Sequence, residues 1–596
     1  MNHVVDFFLQ IVSVNMAKKP WRIFINDRNY VSWKIYDLDT KNEVPIQDTP
    51  LSTLNPVELR VFNNDIIWDN GDLAYSYIRE CPTLAGVLLL ENNKTYGRTE
   101  NKKRLLYKCI PDDKRLPAFL VPYDIKMGFS KNIRDKYIVF RFESWGGQHP
   151  QGTILDVLGD VTSLEAFYEY KLYCRNLNDS NKDFTKKTHK LFHTEQTEEY
   201  IQKIQHNPNF CIEDRTGEFV FTIDPKNSLD YDDGFCFKTN ADGSKTVSIY
   251  IANVFFWMET FGLWQSFQKR VSTIYLPDRR RPMLPTILSD NLCSLLENHK
   301  RFAFCMDITF SGDDYTDPVI KFCNAIIAVK KNFVYEESAM LKNRHYRGLL
   351  ELTRALDPGI TESHGLVGYW MVFMNKWCGS HMYEHKVGVY RSVLSSAPVS
   401  NFLDSYNNNM LPDTKRLIYN WGSMCGQYVN FSENVNLSHD LLNIKTYVHM
   451  TSPIRRLVDL LNQIIFFVRF SLVTTLSEEA GHFLNEWISN MDTLNEKMKS
   501  TLKVERECET MRKCLTRPEM LTELHDAYVI AIREMSSNNT CVYRHTVYLE
   551  KERMILELKS EQKRDIYKMY KIRMYKIDAY GMASKIKLGW AEDVDA

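Results

Sequence analysis

The sequence predicts a multidomain α+β protein in which small β-modules flank a larger mixed α/β region. Three observations carry this. The chain has 596 residues, more than a single hydrophobic core supports, which predicts three to five domains. Short apolar runs punctuated by turn clusters fill the segments on both sides of the middle. Between Pro453 and Pro518 there is no proline and a single glycine, Gly481, the mark of long helices.

In chain order, residues 1–80 read as mixed strands with turns at NDRN, NND and DNGD, a region without an assigned role. The opening MNHVVDFFLQIVSVN is a short apolar run broken by Asp6. It has no basic leader or cleavage site and predicts no signal peptide, and Met16 is an alternative start. In residues 81–205, AGVLLL, RLLYKCI, PAFLVPY and YIVFRFESW alternate with turns, the pattern of small β-barrels. Residues 206–520 form the central region. EFVFTI, TVSIYIANVFF and FAFCMDITF are strands there, and 366–390 and 414–431 look helical. VDLLNQIIFFVRFSLV reads as a buried helix followed by a more amphipathic one. Residues 521–596 return to short strands and charged turns. No internal repeat or low-complexity tract is present.

Composition excludes several classes. With zero net charge, no global field attracts a polyanion. Locally, residues 101–136 carry 10 Lys/Arg against 4 Asp/Glu, and residues 551–590 carry 11 against 5. Such segments suit local phosphate binding, and solvated faces have the same composition. Aromatic residues make up 13% of the chain, enough for large cores or for base-stacking surfaces. The 13 cysteines form no CxxC pair. This argues for an intracellular, reducing compartment and against a disulfide framework or a Cys-rich zinc site. No apolar run reaches the ~18 residues of a membrane span.

The chemistry begins at FVFTIDPKNSLDYDDGFCF, which places Asp224, Asp230, Asp232 and Asp233 in one segment. Carboxylates sharing a site repel one another. A calcium hand starting at Asp230 fails, because Gly234, Phe235 and Ala241 stand at its fifth, sixth and twelfth positions. A solvated turn suits Asp, yet apolar FVFTI and FCF bracket the segment, and burying unpaired carboxylates is costly. A divalent-metal site offsets the repulsion. Mg²⁺ prefers carboxylate oxygens, and two ions ~4 Å apart support phosphodiester hydrolysis.

Two further stretches point the same way. In HMTSPIRRLVDLL, Ser452 suits an N-cap and Pro453 the first helical position, which places Arg455 and Arg456 in the first turn. Cations there oppose the helix dipole unless an anion binds, or unless Asp459 pairs with Arg455. In STIYLPDRRRPMLPTILSDNLCSL, three prolines stiffen a loop presenting Tyr275 and Arg279, Arg280 and Arg281. An aromatic beside guanidinium groups can clamp a base and its phosphate.

Together, TIDPKNSLDYDDG, VSIYIANV, YLPDRRRPMLPTILSDNLCSL and HMTSPIRRLVDLL resemble, in order over roughly residues 215–510, the ribonuclease II/R (RNB-domain) family. The upstream segments RLLYKCIPDDKRLPAFLVPY and FYEYKLYCRNL are similar to its eukaryotic exosome branch, without that branch's N-terminal endonuclease domain. The resemblance implies OB-type barrels flanking an RNB catalytic domain. On that basis 81–205 are cold-shock/OB-type barrels, 206–520 the RNB domain and 521–596 a C-terminal OB-type barrel. It implies a processive 3′→5′ exoribonuclease that hydrolyses single-stranded RNA to nucleoside 5′-monophosphates, a monomeric catalytic unit able to join an RNA-decay complex. By motif, Asp224, Asp230, Asp232 and Asp233 hold two Mg²⁺ ions, with Mn²⁺ able to substitute, and Asp232 is the most critical for chemistry. Arg455 contacts the scissile phosphate. Tyr275, Tyr335, Arg456, Glu505 and Arg301 are RNA contacts. Departures are Gly368 and Tyr369 where the family is acidic, Tyr250 and Asn253 in the third strand, Leu457 for a common Tyr, and a short 336–366 segment. That segment leaves no room for the family's hairpin and its second base-clamping aromatic.

Three rivals remain. HMYEH, with His381 and His385 on one helix face, fits an inverted zinc-peptidase pattern. A catalytically impaired RNA binder of the same family is the second, motivated by the departures. A nucleotidyl transferase is the third, though no nucleotide-binding pattern accompanies the DYDD run.

Overall fold

The structure is a computed structural model that describes residues 19–591, apart from 53–54, 126–132, 193–195, 268, 313–314, 316, 395–425, 538–539 and 579–580. A five-stranded antiparallel sheet spans residues 20–75. Its first strand, PWRIFI, turns Trp21, Ile23 and Ile25 to one buried side, as the two-residue period of a strand requires. A second set of five strands, within residues 84–160, closes into a barrel. Phe62 of the first sheet enters this barrel's core and stacks on Phe119. Arg28 crosses the same boundary, donating to the carbonyl oxygens of Leu116, Pro111 and Asp113.

Residues 81–205 thus hold one barrel followed by three helices, α1 (Leu164–Cys174), α2 (Lys182–Leu191) and α3 (Thr197–Gln205), where barrels were expected throughout. The physical reason starts at Ser163, whose hydroxyl accepts the Ala166 N–H and caps LEAFYEYKLYC.

The central region is built on a second closed barrel. Its strands are β1 (Ile212–Asp224), β2 (Asp233–Thr239) and β3 (Lys245–Ala252), then, after a two-stranded ribbon of β4 (Ile274–Tyr275) and β5 (Arg280–Arg281), β6 (Lys300–Phe310) and β7 (Val319–Val334). Antiparallel pairing runs β1–β2–β3–β6–β7, and parallel pairing of β1 with β7, Ile212↔Asn324 to Asp224↔Val334, closes it. Around it pack α4 (Val254–Thr260), α5 (Arg344–Leu356), α6 (Ser363–Glu384), a pair of strands β8 (Val389–Ser392) and β9 (Gln427–Asn430), and then α7 (Leu457–Arg469) and α8 (Glu478–Ser489). Helix α6 stops short of the expected 390 because Gly388, at φ +111°, turns the chain into β8. Of the helix expected over 414–431, residues 414–425 lie outside the described residues. Residues 427–430 are strand β9, with Tyr390 opposite Val429, a pairing that suits QYVN.

The last helix, α9 (Met491–Thr516), joins the modules. Val504, Cys508 and Met511 pack with Phe167 and Tyr170 of α1, and Lys171 pairs with Glu507 at 2.9 Å. Cys514, at its other end, enters the core of a five-stranded antiparallel sheet over 525–590, around Val529, Leu549 and Trp590.

Candidate active site

The four aspartates sit at one end of the central barrel. Asp224 ends β1, Asp233 begins β2, and the connecting loop carries Asp230 and Asp232. The CSL segment pins this loop. Leu295 N–H donates to the Tyr231 carbonyl, the Ser294 hydroxyl accepts from Tyr231 N–H, and it donates to the Leu229 carbonyl. Arg301 braces the segment in turn. It is 1% exposed and donates to the carbonyls of Ser294 and Lys300 and to Asn291 Oδ1. Burial lowers its pKa to about 10. The expectation that Arg301 touches RNA is therefore corrected: it is an internal strut, as a guanidinium this enclosed must be.

The SPIRR segment reaches the loop from the other side. Residues 452–456 form a turn, and α7 begins only at Leu457, with Arg456 in the N-cap position. The expected helix start at Ser452 is thus corrected: Arg455 and Arg456 N–H close a turn on the Ser452 carbonyl, and carboxylates hold the N–H groups of Ser452 and Ile454. Asp459 Oδ1 accepts from Ser452 N–H at 2.8 Å, and Asp232 Oδ1 from Ile454 N–H at 2.9 Å. Thr273 N–H and the Arg455 carbonyl, and Leu457 N–H and the Val271 carbonyl, tie the turn to the strand leading into Tyr275. Asp459 pairs with Arg456 at 2.9 Å rather than with Arg455. Arg456, called an RNA contact from sequence, lines the cavity while held by Asp459. Arg455 is left for Asp232, with Nε 3.0 Å from Oδ2 and a side chain 46% exposed.

These parts enclose a cavity of about 750 Å³. One wall carries Asp224, Asp230, Asp232, Asp233, Arg280 and Arg455. The opposite wall is the α6 face of Val367, Gly368, Met371 and Val372, with Asn375 deeper. A Cβ at Gly368 would meet nothing within 4 Å, so this wall is open where the family resemblance leads one to expect acid. Tyr335 lines the cavity and stacks on His364 (3.6 Å between centroids, 8° between planes), so the short 336–366 segment supplies a ring beside it. Glu505 Oε1 accepts the Tyr275 N–H at 2.7 Å. Both residues also line an adjoining cavity of about 400 Å³. Burial raises the Glu505 pKa to about 7, and the Tyr275 hydrogen bond opposes it. Tyr447 and His449 line the cavity too, and sequence reasoning did not single them out. The signal was present, since His449 opens the HMTSPIRR motif. Asn375 ties them in, accepting from Met450 N–H and donating to the Tyr447 hydroxyl.

The carboxylates differ in their partners. Asp224 Oδ2, Asp232 Oδ2 and Asp233 Oδ2 are buried and accept no hydrogen bond, and of the three only that of Asp232 is in an ion pair among the described residues, with Arg455. Burial raises the Asp224 pKa to about 8, with the Asp233 charge adding to it. Burial raises Asp232 to about 8 and Asp233 to about 6, each against the pull of Arg455. Three buried acceptors without donors, two of them outside any ion pair, fit a hard divalent cation, which takes carboxylate oxygens and keeps waters for a phosphate. Asp230 differs. Arg280 Nη1 lies 2.8 Å from its Oδ1, and the Tyr275 hydroxyl donates to its Oδ2 at 3.2 Å. Arg279 and Arg281 do not join the expected clamp. Both pair with Glu169, outside the cavity, because β5 points them away from Arg280.

The HMYEH reading is set aside. The rings of His381 and His385 contact the carbonyls one turn back in their own helix, of Trp377 and His381. Among the described residues, the one set of three potential ligand atoms within 4.8 Å of one another is Cys305, Asp307 and Cys323, in β6 and β7. Arg215 already fills that set, donating to both Asp307 oxygens at 2.7 Å.

Residues 212–347 match the RNB domain family model. That match lies within the central barrel region and covers less than half of the chain. The chain is 36% identical over 138 residues to exoribonuclease 2 of Yersinia enterocolitica, covering 23% of this chain and 21% of that one. It is 24% identical over 352 residues to ribonuclease R of Chlamydia muridarum, covering 48% and 50%. Half or less of the length of these two relatives is therefore spanned. Among solved structures, Mycoplasma genitalium RNase R in complex with ribose methylated single-stranded RNA has the same fold at 17% identity. Its TM-score is 0.64, over 96% of this chain and all of that one. Yeast Ssd1, a pseudonuclease, has it at 12% identity and TM-score 0.57, over 92% and 80%.

Proposed function

We propose that this protein is a divalent-metal-dependent 3′→5′ exoribonuclease that hydrolyses single-stranded RNA to nucleoside 5′-monophosphates. One observation carries the reading. Asp224 and Asp233 present buried carboxylate oxygens without donors beside the half-exposed guanidinium of Arg455, in one cavity. Asp224 and Asp233 would hold the metal, Mg²⁺ or Mn²⁺. Bound there, it would supply Lewis acidity and a water acidified enough to attack a phosphodiester at neutral pH. Asp232 orients Arg455 through an ion pair with its Nε at 3.0 Å and fixes the SPIRR turn by accepting from Ile454 N–H. Arg455 keeps exposed donors for the scissile phosphate, a charge-assisted contact that gains strength in a water-poor site. Tyr275 and Glu505 meet where this cavity adjoins the next, a position from which they would contact the incoming strand. Tyr335, on the inner wall, would meet its end.

Other proposals follow from the same reading. No helix of the described residues is long and apolar enough to cross a membrane. The 12 cysteines whose surroundings are described are all free, which suits an intracellular, reducing compartment. Association with an RNA-decay complex belongs to this reading as well.

The test is a 5′-labelled single-stranded RNA with a free 3′ end, incubated with protein in Mg²⁺ or EDTA and resolved to single nucleotides. Shortening from the 3′ end that EDTA abolishes is the expected result. Intact RNA in Mg²⁺ that nevertheless shifts on a native gel selects the second reading, a binder that has lost catalysis. The observation favouring that reading is the pairing of Asp230 with Arg280.

A further inference from the structure

We infer that Arg280 is a built-in cation of the carboxylate cluster, standing in for a second metal, so that the site takes a single divalent ion. The inference rests on the metal-dependent reading above and sharpens it, since the sequence led to an expectation of two ions.

The ribbon β4–β5 sets Tyr275 directly opposite Arg280. Pro277 lies in its turn and Pro282 directly follows β5, so both side chains are delivered to one place by a stiff element. Tyr275 and Arg280 between them engage both oxygens of Asp230. Arg280 Nη2 meets Asp290 Oδ2 at 2.5 Å, so the guanidinium bridges two carboxylates. The three side chains are only 19%, 11% and 22% exposed. A doubly paired guanidinium in such a place is hard to withdraw, because leaving would strand two poorly hydrated carboxylates.

The charges then fall into place. Arg280 compensates Asp230, and Arg455 compensates Asp232. Asp224 and Asp233 remain without a guanidinium partner among the described residues, and each, like Asp232, has a buried oxygen lacking a hydrogen-bond donor. There, at the carboxylates of the cluster that no guanidinium pairs with, a divalent ion would sit. A second ion drawing on Asp230 would lie against the Arg280 guanidinium, and one drawing on Asp232 against that of Arg455, where like charges repel.

The test is Mn²⁺ binding to the full chain without RNA, by calorimetry for stoichiometry and by electron paramagnetic resonance for spin coupling between ions. The titration is repeated with a nucleoside 5′-monophosphate present. Wild type is expected to bind one Mn²⁺ with an uncoupled spectrum in both conditions. Arg280→Gln, confirmed folded by its melting curve, is expected to bind two with the signature of a coupled pair. Arg280→Lys retains the charge and Arg279→Gln alters a guanidinium outside the cavity, so both are expected to stay at one. Two ions on wild type, or one on folded Arg280→Gln, overturns the role of Arg280 and leaves the exonuclease reading standing. No Mn²⁺ on folded wild type rejects the metal-dependent reading and this inference together.

Discussion

Strand β1 has an ionic centre at each end, and the two are built on opposite principles. At its start, Arg215 donates to both oxygens of Asp307 at 2.7 Å and to Glu213, while the Ser248 hydroxyl donates to Asp307 as well. Burial alone would raise the Asp307 pKa, but these hydrogen bonds outweigh it and hold the carboxyl below its usual range. At the end of β1, Asp224 and Asp233 are as enclosed, lack donors on one oxygen each, and are raised to about 8 and about 6. The first centre contains the tightest set of metal-ligating atoms among the described residues, yet its charge is already satisfied. Crowded ligand atoms therefore do not make a functional site. Uncompensated charge held in place by the fold does, because only there is something gained when a cation and a phosphate arrive.

The largest effect expected from this contrast is on Asp233→Asn. Removing one of the two uncompensated charges should cut RNA cleavage by more than ~10³-fold, an oxyanion- and metal-type loss. RNA retention on a native gel should be nearly unchanged, since the channel stays intact. Residual turnover near wild type would break the comparison at its functional end. Arg215→Ala tests the other end. It strands Asp307 and should lower unfolding free energy by about 3–5 kcal/mol, read by denaturant titration, while Mn²⁺ affinity stays unchanged. Arg455→Ala comes next, with a fall of roughly 10²–10³ in kcat and a smaller change in KM. Its folded stability should move less than that of Arg215→Ala, because the Arg455 side chain is 46% exposed where that of Arg215 is 8%.

Much of this was legible in the sequence. The D-x5-D-x-D-D spacing, bracketed by apolar runs, identified both the strand ends and the carboxylates they carry, because strand periodicity and acid clustering are local signals. Which carboxylates are compensated was not legible, because that depends on partners far along the chain. Asp230 meets Arg280, and Asp232 meets Arg455, across 50 and 223 positions. Asp459 chose Arg456 over Arg455 for the same kind of reason, since Asp232 and the β4 strand had already drawn Arg455 away. Arg301, expected as an RNA contact, stands in HKRFAF, and only the closed barrel shows that it turns inward to brace the CSL segment. The Phe62 contact between the first two modules lay equally beyond local reading, as it joins separate cores.

The smallest expected effect concerns pH, and it separates the two centres without a mutation. Asp224 and Asp233 have folded-state pKa values raised to about 8 and about 6 from an ordinary 3.8. Across the window from about 4 to about 8 the native state therefore holds more protons than the unfolded chain. Stability without metal should fall as pH rises through that window. A divalent ion needs both carboxylates ionised, so it competes with those protons, and its stabilising effect should grow over the same range. At Asp307 the sign is reversed. Its lowered pKa contributes stability above the ordinary carboxylate range that is lost only in acid, and no metal enters there. Melting curves at pH 5, 6, 7 and 8, with and without Mn²⁺, should therefore diverge steadily towards alkaline pH, by on the order of a few °C. Asp233→Asn should flatten the divergence. Arg215→Ala should lower every curve and leave the divergence in place, which is the behaviour of a centre whose charges were settled when the barrel closed.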